Sequence, residues 1–346
     1  MITLKEIASK CSVSIATVSN ILNGKSNVSE ETKQRVLQVI QETGYKPNFL
    51  ARGLRASKTK TVGLLIDDLS EFSCPPLVEG IMAYLEEYDY KSILENLRFY
   101  SKWGKNWYKY ENYHDDVTSA IQEFEAIKVD GIIYVAGHCR NIQAIPKNLR
   151  IPTVICYAFN EDKNFSSVIF NDEQAAFQMT EHLIKNGHRN IAVIQGAKDN
   201  MHTKARLKGF LKAMKENNIS VNEQLLYNGD WTLESGYSSC KNIIENGQNP
   251  TAIFCFNDLM AAGAYGYLST TNIKPGEDIA IAGFDNRPVS SILNPPLTTM
   301  EIPLKEIGQK SAELLINQLN SDSTLPVQEV LMPCNLVERN SITNII

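Results

Sequence analysis

The sequence predicts an α/β protein in two unequal parts, a three-helix head built on a helix-turn-helix and a two-lobed body with parallel sheets. Three observations predict it. Residues 3–44 hold three short stretches of helical apolar spacing, each opened by a Thr or Ser that can cap a helix. Beyond residue 60, short Val/Ile-rich runs alternate with amphipathic helical stretches, the pattern of strands lying parallel beneath helices. Charge divides at the same border: residues 1–60 carry ten Lys/Arg against four acids, a net +6, which leaves −11 for the remainder of a chain whose net charge is −5. A basic head on an acidic body points to a polyanion met by the head alone.

Thr3-Leu4-Lys5-Glu6 fits a capping box, and Leu4, Ile7, Ala8 and Cys11 recur at helical spacing, so the first helix is expected over 4–10. A turn through 11–13 follows. Ser14 caps a second helix over 15–22 that buries Val18, Ile21 and Leu22, and Asn23-Gly24 stops it. Ser29 caps a third, with Glu30 and Glu31 in the first turn where acids suit the helix dipole. Val36, Leu37 and Ile40 form its inner stripe, Gly44 ends it and Pro47 forbids continuation.

The outer face of the second helix carries Ile15, Ala16, Thr17, Ser19 and Asn20. Small polar groups and methyls suit the major groove, where Asn reads adenine and methyls touch thymine. The alternative is a plain three-helix bundle for protein contacts. Residues 47–55 argue against it. They allow two helical turns weakened by Gly53, with Leu54 standing between Arg52 and Arg55, a composition suited to minor-groove insertion. Thr3, Ser14, Asn23, Asn48, Ala51, Arg52 and Leu54 complete the expected contact set for double-stranded DNA. The expected divisions are 1–46 for the head, 47–60 for a hinge helix and linker, and 61–346 for the body.

In the body, strands are expected at 62–66, 92–94, 131–135, 153–157, 168–170, 191–195, 252–256 and 279–283. Helices are expected near 76–88, 116–127, 173–186, 204–217, 233–246, 258–270 and 304–319. Eight strands are too many for one small sheet, so two lobes are predicted, about 61–160 with 292–322 and about 161–291 with 323–340. Open α/β sheets bind ligands at the carboxyl ends of their strands, which puts a ligand cleft between the lobes.

Several function classes are disfavoured. The turn after 62–66 has no G-x-G-x-x-G, and the chain has neither a Walker A motif nor G-x-S-x-G. The five His, among them His182 and His188, are not at metal spacing, and the seven Cys read as buried reduced thiols. No metal, cofactor or enzymatic activity is expected. No apolar run approaches the ~18 residues that span a bilayer, and the first residues are charged, so a cytoplasmic protein with no membrane partner is expected.

The run Val13-Ser14-Ile15-Ala16-Thr17-Val18-Ser19-Asn20-Ile21-Leu22-Asn23-Gly24, then Gly44-Tyr45-Lys46-Pro47-Asn48 and Ala51-Arg52-Gly53-Leu54, resembles the head and hinge of the lactose-repressor family of bacterial regulators. The family usually carries Arg where this chain has Asn20. The resemblance continues through Gly187-His188-Arg189, Arg206-Leu207-Lys208-Gly209-Phe210, Phe256-Asn257-Asp258, Gly283-Phe284-Asp285-Asn286 and Pro296-Leu297-Thr298-Thr299. It implies a periplasmic-binding-protein-like body and a transcriptional regulator, a repressor of carbohydrate-related genes. It further implies a homodimer on a near-palindromic operator, controlled by a small-molecule effector, a sugar, held between the lobes. A purine-like ligand or a partner protein is the alternative signal.

The resemblance puts Arg206, Trp231, Asn257, Asp258 and Asp285 in or beside the cleft, and Phe72, Ser73 and Tyr157 complete the expected effector set. Arg supplies a fork of donors, Asp and Asn take hydroxyl protons, and Trp offers a flat face to a sugar ring. Bland roles stand beside these: Asp258 as a helix cap, Asp285 as a turn residue, Trp231 as core. Ser73 and Cys74 occupy positions where the family often has aromatic rings. An insertion-like stretch, 99–113, holds Trp103, Trp107, Tyr108, Tyr110 and Tyr113. Three roles are open to it: a lid on the ligand, a subunit contact, or a mini-core on its own lobe.

Overall fold

The computed structural model describes residues 2–22, 28–45, 58–104, 107–109 and 113–346. The expected hinge helix, and with it Asn48, Ala51, Arg52 and Leu54, lies outside the described residues, as does Asn23.

The head forms as its caps dictate. Helix α1 (Leu4–Lys10) opens on a closed capping box in which Thr3 N donates to Glu6 Oε2 at 2.6 Å and Glu6 N donates back to Thr3 Oγ1 at 3.3 Å. Helix α2 (Ile15–Leu22) starts where Thr17 N donates to Ser14 Oγ at 3.0 Å. Helix α3 (Glu30–Thr43) is capped by Ser29 and ends at Gly44, whose φ of 63° is left-handed backbone that glycine adopts without strain. Ile7, Ala8, Cys11, Val18, Ile21 and Val36 close a small core between the three.

The body holds two six-stranded sheets. The first contains β1 (Thr61–Ile66), β2 (Lys91–Asn96), β3 (Gly131–Val135), β4 (Thr153–Cys156), β5 (Ser166–Phe170) and β11 (Glu329–Met332). Its order is β11-β5-β4-β3-β1-β2 and every pair is parallel. The second contains β6 (Ile191–Gln195), β7 (Leu226–Asn228), β8 (Ala252–Cys255), β9 (Ala280–Asp285), β10 (Thr298–Glu301) and β12 (Asn335–Val337). Its order is β12-β10-β9-β8-β6-β7, with only β12 antiparallel. Central strands such as β1, β3 and β8 are buried on both faces, as continuous apolar runs require.

Helices α4 (Cys74–Glu87), α5 (Phe99–Trp103), α6 (Tyr113–Ile127) and α12 (Leu304–Asn320) belong to the first lobe. The second lobe carries α7 (Asp172–Lys185), α8 (Met201–Glu216), α9 (Leu233–Glu245), α10 (Asp258–Leu268) and α11 (Pro288–Ile292). Helices α4 and α12 touch backbone to backbone. A Cβ on Gly80 would lie 2.0 Å from Lys305 O, and one on Gly308 would lie 2.1 Å from Leu77 O. Among the described residues no helix is long and apolar enough to cross a membrane. All seven cysteines are buried and unbridged.

The chain passes between the lobes three times, after β5, after β10 and after β11. This corrects the predicted lobe boundaries. Residues 166–170 and 329–332 lie in the first sheet, and 298–301 lie in the second. Four strands, β7, β10, β11 and β12, lie outside the eight expected, each for a physical reason. β10 reads Thr-Thr-Met-Glu, and β7 and β12 have three residues each. β11 is an edge strand with an alternating exposed face. Among the described residues of the stretch 99–113, Phe99, Trp107 and Tyr113 pack as a mini-core, buried with Leu65, Val117 and Tyr134 of the first lobe. Trp103 stays 38% exposed, its ring stacked on Phe99.

Candidate functional site

Two surfaces carry chemistry. On the head, α2 turns Val18 and Ile21 into the core and leaves Ile15 and Ala16 exposed, with Thr17, Ser19 and Asn20 half-buried beside them. Ser14 and Thr17 are also joined through their hydroxyls at 2.9 Å, so both fix the start of the helix that they were expected to present to DNA. Thr3 does the same for α1.

The second surface lies between the lobes. Arg206, on α8, is buried. Its Nε donates to Asp172 Oδ1 at 2.7 Å, its Nη1 donates to Phe256 O, and Asp285 Oδ1 stands 3.7 Å from Nη1. The guanidinium lies 3.6 Å from the ring centre of Phe284, 5.5 Å from Trp231 and 6.0 Å from Phe170. The other Asp172 oxygen accepts from His202 Nδ1 at 2.7 Å. His202 stacks on Phe170 at 5.4 Å, and Phe170 stacks on Tyr157 at 5.5 Å. Phe170 belongs to β5 and His202 to α8, so this three-ring stack joins the lobes.

Electrostatics follows burial and pairing. Burial works to raise Asp172, but His202 and Arg206 overcome it and hold the carboxyl below its ordinary range. Burial opposes the Arg206 charge, yet Asp172 and then Asp285 hold its guanidinium above its ordinary range. Burial pushes Asp285 up to about 6, with Arg206 and Arg287 opposing. Three expected site residues have left-handed backbone: Tyr157 at φ 65°, Trp231 at 73° and Asp285 at 108°. Non-glycine residues avoid that region, and such strain gathers where function demands a fixed direction.

The remaining expected residues divide. Asn257 is the cap of α10, its Oδ1 accepting from Met260 N at 2.8 Å, and its amide donates to Trp231 O at 3.0 Å. It thereby fixes the Trp231 backbone, and the Trp231 ring lies over Gly196. Asp258 is not the cap. It is fully buried and faces β10, with Oδ1 accepting from Thr299 Oγ1 at 2.6 Å and Oδ2 from Arg287 N at 2.7 Å. Burial, then the charge of Asp285, pushes it up to about 8. Ser73 is buried and donates to Gly137 O at 2.7 Å. Phe72 is 36% exposed and lies against Arg287 of the other lobe, 4.4 Å from ring centre to guanidinium.

Sequence reasoning missed Asp172, His202, Phe170 and Phe284. Asp172 reads as an acid in the first turn of a helix, and nothing in the sequence pairs it with residues 30 and 34 positions on. Phe170 reads as the end of a core strand, and Phe284 as one residue of the Gly283-Phe284-Asp285-Asn286 motif.

Comparison with known proteins sorts these two surfaces into one family. The family model described as bacterial regulatory proteins, lacI family, matches residues 3–48, and a periplasmic binding protein-like domain matches residues 180–342. Catabolite control protein A of Priestia megaterium is 31% identical over 98% of this chain and 99% of its own. The chain belongs to the lacI family. The HTH-type transcriptional repressor PurR of Actinobacillus pleuropneumoniae serotype 3 is also 31% identical, over 100% of this chain and 99% of its own. In fold, this lacI-family chain superposes on the lac repressor dimer bound to operator and the anti-inducer ONPF with a TM-score of 0.81, at 24% identity over 99% of both chains. It also superposes on the transcriptional regulator CelR–cellobiose complex with a TM-score of 0.63, at 24% identity over 99% and 100%. This lacI-family member is therefore a DNA-binding transcriptional regulator with an effector-binding body, not an enzyme. The lac repressor of the first of these structures is a dimer on operator DNA with an anti-inducer bound.

Proposed function

We propose that this regulator is a cytoplasmic repressor of carbohydrate-related genes. A homodimer binds a near-palindromic operator through α2, and the effector is a neutral sugar seated between the lobes. The observation that carries the ligand class is the surroundings of Arg206. Its guanidinium is met by Asp172 and Asp285 and faced by Phe284, Trp231 and Phe170. Aromatic faces cover the C–H surface of a sugar ring, and carboxylates accept its hydroxyl protons. The two acids also oppose an anionic ligand, because the cation is already compensated. Asp172 orients His202 by accepting a hydrogen bond from Nδ1, which leaves Nε2 for a ligand hydroxyl. The DNA half rests on Ile15, Ala16 and Asn20, which α2 holds on its outer side.

The test uses an operator selected from random duplexes by the full-length protein. Operator affinity is measured with and without neutral sugars, sugar phosphates and purines. A neutral sugar that shifts it tenfold or more supports the reading. A response confined to sugar phosphates or purines overturns it.

A further inference from the structure

The aromatic insert wraps the carboxyl ends of β1 and β3. Leu97 N and Phe99 N continue the pairing beyond β2, donating to Ile66 O at 2.9 Å and Asp67 O at 3.0 Å. Tyr100 N and Ser101 N then donate to Asp68 Oδ2 at 3.0 and 3.3 Å. The chain returns to lay Trp107 against the loop that follows β3. The Arg140 guanidinium lies on the indole face, 4.4 Å from its centre, and His138 meets the ring at 6.0 Å. Tyr108 covers the His138 ring at 4.5 Å. Arg140 is held by Asp67 at 2.6 and 3.0 Å, so its charge is balanced. That loop borders the effector cleft: Ser73 donates to Gly137 O, and Ala136 N donates to Cys156 O at 3.0 Å, the residue before Tyr157 of the three-ring stack.

Three nitrogens in this cluster are buried and have no hydrogen-bond partner: Trp107 Nε1, His138 Nε2 and Arg140 Nε. The side chains of Trp107 and Arg140 are more than nine-tenths buried. Buried polar groups are almost always satisfied, and a donor left unmet is costly. Three within one set of touching rings ask for an oxygen-rich acceptor. The indole and the guanidinium can only donate, whereas the imidazole can do either.

We infer that Trp107, His138 and Arg140 form a second subsite of the effector cleft that takes the hydroxyl and ring oxygens of a second neutral sugar unit, so the effector is a disaccharide or longer. The inference rests on the sugar reading above. Because Asp67 neutralises Arg140, the subsite selects neutral oxygens over anions. The nitrogens are sealed from solvent in this structure, and the second ring enters as half-buried Tyr108 turns away from His138.

The test is calorimetric titration of the full-length protein with glucose, galactose and mannose and with their disaccharides maltose, cellobiose and lactose. The best disaccharide is expected to bind at least tenfold more tightly than any monosaccharide. Trp107→Phe keeps an aromatic ring beneath Arg140 and removes Nε1. It should lower the ratio of disaccharide to monosaccharide affinity about fivefold, the effect of one lost hydrogen bond. His138→Phe should lower that ratio similarly. Melting temperatures of both variants separate this from packing loss, which weakens both classes of sugar alike and leaves the ratio fixed. Monosaccharides binding within threefold of the best disaccharide, or a ratio unmoved by both variants, overturns the subsite and leaves the sugar reading standing. No binding of any neutral sugar overturns both.

Discussion

Asp172→Asn isolates the electrostatic centre of the cleft. In the wild-type protein one buried carboxylate accepts from Arg206 Nε and from His202 Nδ1, each at 2.7 Å. The asparagine has one acceptor oxygen where two donors wait, and its N–H₂ group faces the second donor. Arg206 then keeps its charge, with Asp285 at 3.7 Å as the nearer remaining acid. Breaking one side of a buried pair costs about 3–5 kcal/mol, because the surviving charge stays buried. Each kcal/mol moves the melting temperature of a domain of this size by about 2 °C, so the body should melt about 6–10 °C lower. A ligand that binds only the native state stabilises it by RT ln(1 + L/Kd) at free ligand concentration L, a term that vanishes when binding is lost. The neutral sugar that stabilises the wild type should therefore give little or no shift in the variant. The assay is a thermal melt of the full-length protein with and without that sugar. A fall below about 2 °C with the sugar response intact would refute the assignment of Asp172 as the partner on which both Arg206 and His202 depend.

Asp258 sets a pH dependence of opposite origin. Burial first and Asp285 second raise its folded pKa to about 8, well above the unfolded value, so between about pH 4 and pH 8 the native state holds the extra proton. Stability should therefore fall as pH rises from about 5 to 8.5. Asp258→Asn should flatten that slope in calorimetric melts, and an unchanged slope would contradict it. Asn20→Arg should change the half-site recovered by selection from random DNA, and not just the affinity. Recovery of the same sequence by both proteins would remove Asn20 from base reading. Asp130 accepts from Thr59 N at 2.8 Å and Lys60 N at 2.7 Å. Asp130→Ala should leave effector affinity unchanged by calorimetry and reduce the effector's influence on operator affinity severalfold, and full retention of that influence would rule the contact out of the coupling.

Much of this was legible from the sequence because the signals are local. Thr3 with Glu6, Ser14, Ser29 and Gly44 mark the helix ends of the head. The Val/Ile runs of β1, β3, β6 and β8 mark doubly buried parallel strands. What was hidden is long-range or polar. The exchange between lobes runs through β10, which reads Thr-Thr-Met-Glu, and through the edge strands β11 and β12, none of which offers a long apolar run to read. The Asp172–Arg206–His202 cluster joins two helices through side chains that each have an ordinary local explanation. Asp258 shows the converse: its position suggested a cap or a ligand contact, but Asn257 took the cap and the carboxyl turned inward to Thr299. The insert announced itself by composition, but the packing of Trp107 on Arg140 and Phe99 joins residues too far apart in the chain to be paired from sequence.

The route from cleft to operator follows from what each lobe holds. Residues 58–60 lead to the head, and they are fastened to the first lobe alone. Thr59 and Lys60 are bonded to Asp130, Lys91 N donates to Lys60 O at 2.9 Å, and Lys58 Nζ donates to Leu319 O at 2.6 Å. Arg206, His202 and Trp231 belong to the second lobe, whereas Tyr157 and Phe170 belong to the first. On the proposed reading, a ligand between these groups favours one arrangement of the lobes over another, with the three chain crossings as the hinge. The first lobe then carries the linker with it as a rigid body. In the proposed dimer, a change in how the two first lobes sit would move the two residue 58–60 segments relative to each other. Only a ligand that binds one lobe arrangement better than the other can shift that balance. The Tyr157–Phe170–His202 stack is suited to this role, because it crosses the lobe boundary beside Arg206, at the proposed ligand site.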